Sequence, residues 1–219
     1  MNTPQFHRMG TRAILVESQQ PQADLRTQQV YWAFDQRAAD LPGLVESVPG
    51  MNNLLLIFEA MEYRENALAD LHHYWGASIE QSSARDARQI TVGVLYGGAL
   101  GKDLPILAER ARLSVDEFVM RHAAVEYTVF CLGAHPGFAY LSGLHESLHA
   151  PRQNAPRPQV SAGSVAIGGS QTGVIAANMP SGWNLIGATD TTFFDHRNEP
   201  PALLAPGDRV RFEVRGIEA

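Results

Sequence analysis

Cysteine is nearly absent from this 219-residue chain, where Cys131 stands alone. That excludes an intrachain disulfide and any metal site built on several thiolates. Lysine is equally scarce. Of the 17 Lys and Arg residues only Lys102 is a lysine, and the arginines are scattered. Charged residues make up 18% and the formal net charge is −6. No clustered positive field is available for a phosphate backbone, so a nucleic-acid partner is not expected. Long apolar runs are missing too: a stretch such as Leu54 to Phe58 is far too short to span a bilayer, and no membrane partner is expected. Met1 to Arg12 is polar, with no apolar core of a signal peptide. A reducing cytoplasm is the expected compartment.

What is present is an ordinary globular composition, 45% apolar. A chain of this size buries roughly 70% of its unfolded surface and needs no staple. Thr11 to Glu17 reads as a strand, and Asp24 to Ala39 has helical spacing at Leu25, Val30 and Phe34. Leu44 to Val48 and Leu54 to Glu59 read as strands joined by a turn at Pro49-Gly50. Arg64 to Trp75 is an amphipathic helix with Leu68, Leu71 and Trp75 on one side, and Gln89 to Tyr96 is a further strand. The order β-α-β-β-α-β predicts a small α+β domain over residues 1–95. The texture then changes. A helix is expected near Leu104 to Arg112. Ser114 and Glu117 are spaced as a capping box, so another helix starts there. Val125 to Leu132 is a strand. The Gly- and Pro-rich remainder suits a closed β-barrel over 96–219. Its last strand is the clearest, with Val210, Phe212 and Val214 alternating with charged residues.

Several motifs invite chemistry. His145-Glu146-Ser147-Leu148-His149 has the H-E-x-x-H spacing of zinc proteases, but it lies between Gly143 and Pro151 with no third ligand in view. A solvated turn is expected, and no metal. Gly97-Gly98-Ala99-Leu100-Gly101-Lys102 resembles a phosphate loop. It fails the pattern because Tyr96 occupies the first glycine position and Asp103 follows the lysine. It is expected to be a glycine-rich turn, with Lys102 a cation available to an anionic ligand. Gly168-Gly169-Ser170-Gln171-Thr172 lacks the closing glycine of a nucleophile elbow. Cys131, inside an apolar strand, reads as a core residue, and His72 and His73 as surface or packing residues. The run Gly163 to Gly173 carries glycines at a density that lets a backbone approach a ligand or another strand closely. Gln171 and Thr172 place neutral donors and acceptors beside it. A glycine-bent barrel corner and a binding site fit the spacing equally well.

From Pro136 to Asp190 a set of short motifs falls in order. They are Pro136-Gly137-Phe138, Tyr140-Leu141, Pro151-Arg152, Pro156-Arg157, Ala162-Gly163-Ser164-Val165, Gln171-Thr172-Gly173 and Gly182-Trp183-x-Leu185-Ile186-Gly187. Tyr96-Gly97-Gly98 and Pro206-Gly207-Asp208-Arg209-Val210 fit as well. Together they resemble the family of the 5-oxoprolinase B-type component, also called allophanate hydrolase subunit 1, which includes the kinase inhibitor KipI. The resemblance implies an α+β fold: a small N-terminal α+β domain followed by a cyclophilin-like β-barrel. It implies an enzyme complex with C-type and A-type 5-oxoprolinase subunits, in which ATP drives hydrolysis of 5-oxo-L-proline to L-glutamate. The single chain is expected to be inactive alone. The alternatives are a KipI-like inhibitor of a sensor histidine kinase and a carboxyltransferase component of a biotin-dependent urea carboxylase or allophanate hydrolase system. The setting of Lys102 is not that of a biotin carrier.

Opening a lactam requires donors where negative charge develops on the carbonyl oxygen. Under the resemblance, Gln171, Thr172 and Ser164 are the expected catalytic donors. Gly137, Phe138, Tyr140 and Gly163 would line the small-molecule substrate. Arg152 and Arg157 would hold a carboxylate or phosphate, although each suits a surface position after proline as well. The chain departs from the family pattern at Ala99, Lys102, Ala134, Ala139, Ser142 and Ser181, and at Val174-Ile175-Ala176. These departures bear on which cyclic amide is the substrate.

Overall fold

A computed structural model describes residues 3–20, 23–81 and 87–218. The chain divides into two compact units, Met1–Asp86 and Ala87–Ala219. In the first, strands β1 (Gln5–Met9), β2 (Ala13–Glu17), β3 (Leu44–Pro49) and β4 (Asn53–Phe58) form an antiparallel sheet in the order β1-β2-β4-β3. Helices α1 (Leu25–Ala38) and α2 (Met61–Gln81) join it. Asp24 caps α1, its carboxylate accepting the Thr27 N–H at 2.9 Å. Strand β4 alternates half-buried and buried residues along its length, the period-2 signature of a sheet with one face on a core. That core joins Ile14, Val16, Leu54, Leu56 and Phe58 of the sheet to Val30, Tyr31 and Phe34 of α1 and Leu71 and Trp75 of α2. The Tyr31 and Trp75 rings meet with centroids 5.0 Å apart.

The second unit opens with β5 (Gln89–Gly97). Then come α3 (Leu104–Ala111), α4 (Val115–Ala123), β6 (Glu126–Leu132), β7 (Ala139–Ser142) and a 3₁₀ turn at Glu146–Leu148. Strands β8 (Arg157–Val160), β9 (Ser164–Gly168), β10 (Gln171–Val174), β11 (Met179–Ser181), β12 (Asn184–Ala188) and β13 (Arg209–Glu218) complete it. Seven strands close into a barrel in the order β10-β7-β6-β13-β5-β12-β9, and β8 pairs with β11 as a separate ribbon. A closed ring with an odd number of strands cannot alternate direction throughout. The parallel pair that this parity demands is β5 with β13, in register from Gln89↔Arg209. Closure leaves the barrel no free edge.

Strand β5 corrects the domain boundary expected from the sequence. The β-α-β-β-α-β order makes it the last strand of the first domain, yet it pairs with β12 and β13. Its Val92, Val94 and Tyr96 belong to the barrel core, with Tyr127, Val129, Val165, Ile167, Ile186, Val210 and Phe212. The break therefore falls at 86/87 instead of 95/96. The capping box at the start of α4 is present: the Ser114 hydroxyl accepts the Glu117 N–H at 3.2 Å, and the Glu117 carboxylate accepts the Ser114 N–H at 2.8 Å.

Candidate functional site

The glycines of the dense run answer to different neighbours. A Cβ on Gly168 would stand 2.6 Å from two carbons of the Trp183 indole, one on Gly173 2.8 Å from the Ala139 carbonyl, and one on Gly163 would collide with the Thr189 carbonyl. Bare backbone at Gly168 thus lets the indole approach the β9 wall of the barrel. Trp183 anchors a second apolar cluster with Phe138, Val160, Ala166, Ile175 and Leu185, outside the main core.

Over this cluster opens a cleft of about 220 Å³, lined among others by Phe138, Tyr140, Arg152, Gln153, Met179 and Trp183. Phe138 meets Tyr140 at 5.0 Å and Trp183 at 5.3 Å between centroids, both edge-to-face, and Tyr140 lies 6.0 Å from Trp183. The guanidinium carbon of Arg152 sits 5.7 Å from the Trp183 ring centroid, within cation–π range. Among the described residues Arg152 is the one charged side chain of the lining. Its segment is fixed by the next residue: the Gln153 N–H donates to the Gly182 carbonyl at 2.7 Å, and the Gln153 amide to Asn184 Oδ1 at 2.7 Å. Burial raises the pKa of the Tyr140 phenol, neighbouring Cys131 adds to the rise, and Arg152 opposes it. Tyr140 therefore offers a neutral hydroxyl at neutral pH.

Arg157, expected beside a substrate anion, already has an anion. Its guanidinium donates to Asp103 Oδ1 at 2.7 Å and to the Trp183 carbonyl at 3.1 Å. Buried Asp103 also accepts the Leu185 N–H at 2.7 Å through its other oxygen. This pair ties the loop before α3 to β12 and holds Trp183 from behind. Arg157 is thus a positioning residue for the cleft.

The expected donors lie elsewhere. Thr172 is fully enclosed, and its hydroxyl donates to the Ala166 carbonyl at 3.0 Å. With that proton committed, Thr172 Oγ1 accepts from His122 Nε2 at 2.9 Å, which leaves His122 Nδ1 to accept the Tyr96 hydroxyl at 2.8 Å. His122 is fully buried and stacked on Phe212 at 4.8 Å. Burial pushes its pKa down to about 3, so it stays a neutral imidazole. Ser164 is also enclosed, and among the described residues its hydroxyl has no hydrogen-bond partner. Gln171 opens β10, half-buried and in register with Gly168. Gly137 and Gly163 both hold positive φ, 78° and 84°, in turns. Gly163 donates its N–H to the Ile175 carbonyl at 2.8 Å. None of these five residues lines the aromatic cleft.

His145 and His149 do not converge. His145 Nδ1 pairs with the Ser147 hydroxyl at 2.8 Å, and His149 Nε2 with the Leu144 carbonyl at 3.1 Å. Among the described residues no group of three His, Cys, Asp or Glu side chains is placed to hold a metal. No helix of the described residues is long and apolar enough to cross a membrane. Cys131 is buried, which pushes its thiol pKa up to about 12, away from nucleophilic use. Sequence reasoning does not place Trp183 or Gln153 in the cleft, nor His122 in the barrel interior. Trp183 does carry a signal, as the one large aromatic in Gly182-Trp183 downstream of the glycine run.

Residues 4–204 match the family described as carboxyltransferase domain, subdomain C and D, and the chain belongs to that family. Its relatives are named as the B component of 5-oxoprolinase. The Escherichia coli O157:H7 protein is 42% identical over 213 residues, covering 97% of this chain and 96% of its own. The Haemophilus influenzae protein is 38% identical, covering 95% and 97%. Among solved structures, the chain resembles the crystal structure of TTHA0988 (TM-score 0.76, 31% identity) over 93% of its length but only 40% of that longer chain. It also resembles the Kluyveromyces lactis urea carboxylase (TM-score 0.75, 19% identity) over 96% of this chain and 22% of that one, a likeness of fold alone.

Proposed function

We propose that this chain is the B-type component of an ATP-dependent 5-oxoprolinase, a cytoplasmic complex that opens 5-oxo-L-proline to L-glutamate with A-type and C-type partners. The observation that carries the reading is the 42% identity to a 5-oxoprolinase component of that type along 97% of the chain. The cleft supports it. A five-membered lactam is small, flat and singly charged. Its ring fits among Phe138, Tyr140 and Trp183, and its carboxylate meets Arg152. Arg157 and Gln153 keep the indole and Arg152 in place. The neutral hydroxyl of Tyr140 points to hydrogen bonding with the lactam rather than proton removal. Gln171 does not line this cleft, so the donor for the carbonyl as charge develops comes from the cleft's own polar groups or from a partner subunit. Thr172 and Ser164 hold the barrel wall behind the cleft.

The chain carries no phosphate loop, so ATP is assigned to the complex and not to a residue here. In the reading, ATP phosphorylates the lactam oxygen and ADP leaves; one water attacks the activated carbon and the ring nitrogen leaves as the amine, giving an acyl phosphate that a second water hydrolyses to L-glutamate and phosphate. A partner subunit completes the site. The family description favours one second reading, a carboxyltransferase component. Growth separates the two. A strain that uses 5-oxo-L-proline as nitrogen source should lose that ability when this gene is deleted and regain it from a plasmid copy. Unimpaired growth would remove the lactamase reading.

A further inference from the structure

A second cleft, of about 530 Å³, lies at the Gly97–Lys102 loop and shares no residue with the aromatic one. Leu104, Val115 and Ile217 form apolar walls, and three charged residues, Lys102, Asp116 and Glu218, line it. The loop is drawn tightly against the end of β13. Gly98 has a φ of 61°, and a Cβ there would collide with the Glu218 carboxylate. Glu218 is thereby placed beside the loop that carries Lys102.

The three charges stand apart from one another. Among the described residues neither Lys102, Asp116 nor Glu218 has a hydrogen-bond or ion-pair partner for its side chain. Elsewhere in this unit opposite charges find each other, as in Arg88–Asp208, Arg157–Asp103, Arg211–Glu126 and Arg215–Glu213. A cation and two carboxylates that share a cleft without touching leave space for a ligand bearing both signs. Charge also decides against a nucleotide. One cation against two carboxylates leaves the cleft net negative, which repels a polyphosphate, and Asp103 stands where a phosphate loop places its hydroxyl residue.

We propose that this cleft binds a free α-amino acid as a zwitterion. Its carboxylate pairs with Lys102, its ammonium with Glu218 and Asp116, and its side chain lies against Leu104, Val115 and Ile217. The volume is that of a small-molecule site, apolar with a few convergent polar groups. The assignment stands apart from the proposed reaction, since it concerns a different cleft and binding alone.

The sole lysine makes the test direct. Purified chain is acylated with an amine-reactive ester, and labelling of Lys102 and of the N-terminal amine is followed by peptide mass. L-glutamate and L-leucine are the probes. Bound ligand should slow labelling of Lys102 by a factor of 1 plus the ratio of ligand to Kd, about sixfold at five times Kd. The N-terminal amine should be unaffected. Glu218→Gln should remove most of the protection with an unchanged melting midpoint; if that variant fails to fold, Asp116→Asn is read in the same way. Unchanged Lys102 labelling with both amino acids would overturn the proposal. So would equal protection by triphosphate or by 5-oxo-L-proline, neither of which carries an ammonium group.

Discussion

His122 offers the most quantitative test of the barrel's interior. It is fully buried between Tyr96 and Thr172, with Tyr127 and Phe212 against its ring. Its pKa falls from 6.5 in the unfolded chain to about 3 in the fold, through burial. Between those values the unfolded chain takes up a proton that the folded chain refuses. The stabilising contribution of neutral His122 is therefore complete above pH 6.5 and is lost progressively as pH falls toward 3. One pH unit below the unfolded value, the loss is between about 1 and 2 kcal/mol. The assay is the opening free energy of β6 and β13, read by hydrogen exchange in denaturant at pH 7.5 and 5.5, which isolates the barrel from the first unit. The comparison is His122→Gln, whose amide can accept from Tyr96 and donate to Thr172 but does not titrate. The other histidines act equally in both proteins and cancel. Wild type should lose about 1 to 2 kcal/mol more than the variant on acidification. An equal loss in both would refute the buried neutral imidazole.

Gly168→Ala should cost about 1 to 3 kcal/mol by driving a methyl into the Trp183 indole. Thermal unfolding checks it, and an unchanged midpoint would show that the indole does not need the bare backbone. Gln171→Ala should reduce activity of the assembled complex while the melting midpoint moves little; parallel loss of both, or no change in either, assigns Gln171 to the fold alone. Protein purified without added metal should contain well below one zinc per chain, and a stoichiometric signal abolished by His145→Ala would contradict the turn seen at His145 to His149.

Local signals carry what is legible in the sequence. The alternation of Val210, Phe212 and Val214 marks β13, and Ser114 with Glu117 marks the start of α4, because each pattern is satisfied by near neighbours. Strand β5 is visible as a strand, but its unit is not. Its hydrogen-bond partners, such as Arg209 for Gln89, lie at the far end of the chain. Strand β1 gives no signal because Gln5-Phe6-His7-Arg8-Met9 is a largely polar edge strand with no hydrophobic run. Of the residues singled out by the motifs, Phe138, Tyr140 and Arg152 line one cleft. The glycine run points to close approaches without revealing that the Trp183 indole makes the one at Gly168 and backbone carbonyls those at Gly163 and Gly173. His122 sits on an amphipathic helix, where a histidine reads as surface; only Tyr96 and Thr172, arriving from distant strands, make it a core residue.

Under the proposed function this chain contributes to a shared lactam-opening site and does not perform the reaction alone. Among the described residues the polar side chains lining its cleft are one cation, Arg152, the neutral Tyr140 phenol, Gln153 and Ser181. Association with a partner would exclude water and add the missing donors. The decisive measurement is L-glutamate release from 5-oxo-L-proline with ATP. The purified chain should give background only, and addition of both cognate A-type and C-type subunits should give ATP-dependent turnover that Arg152→Ala diminishes. Substantial turnover by the chain alone, or none with authentic partners present, would contradict the account.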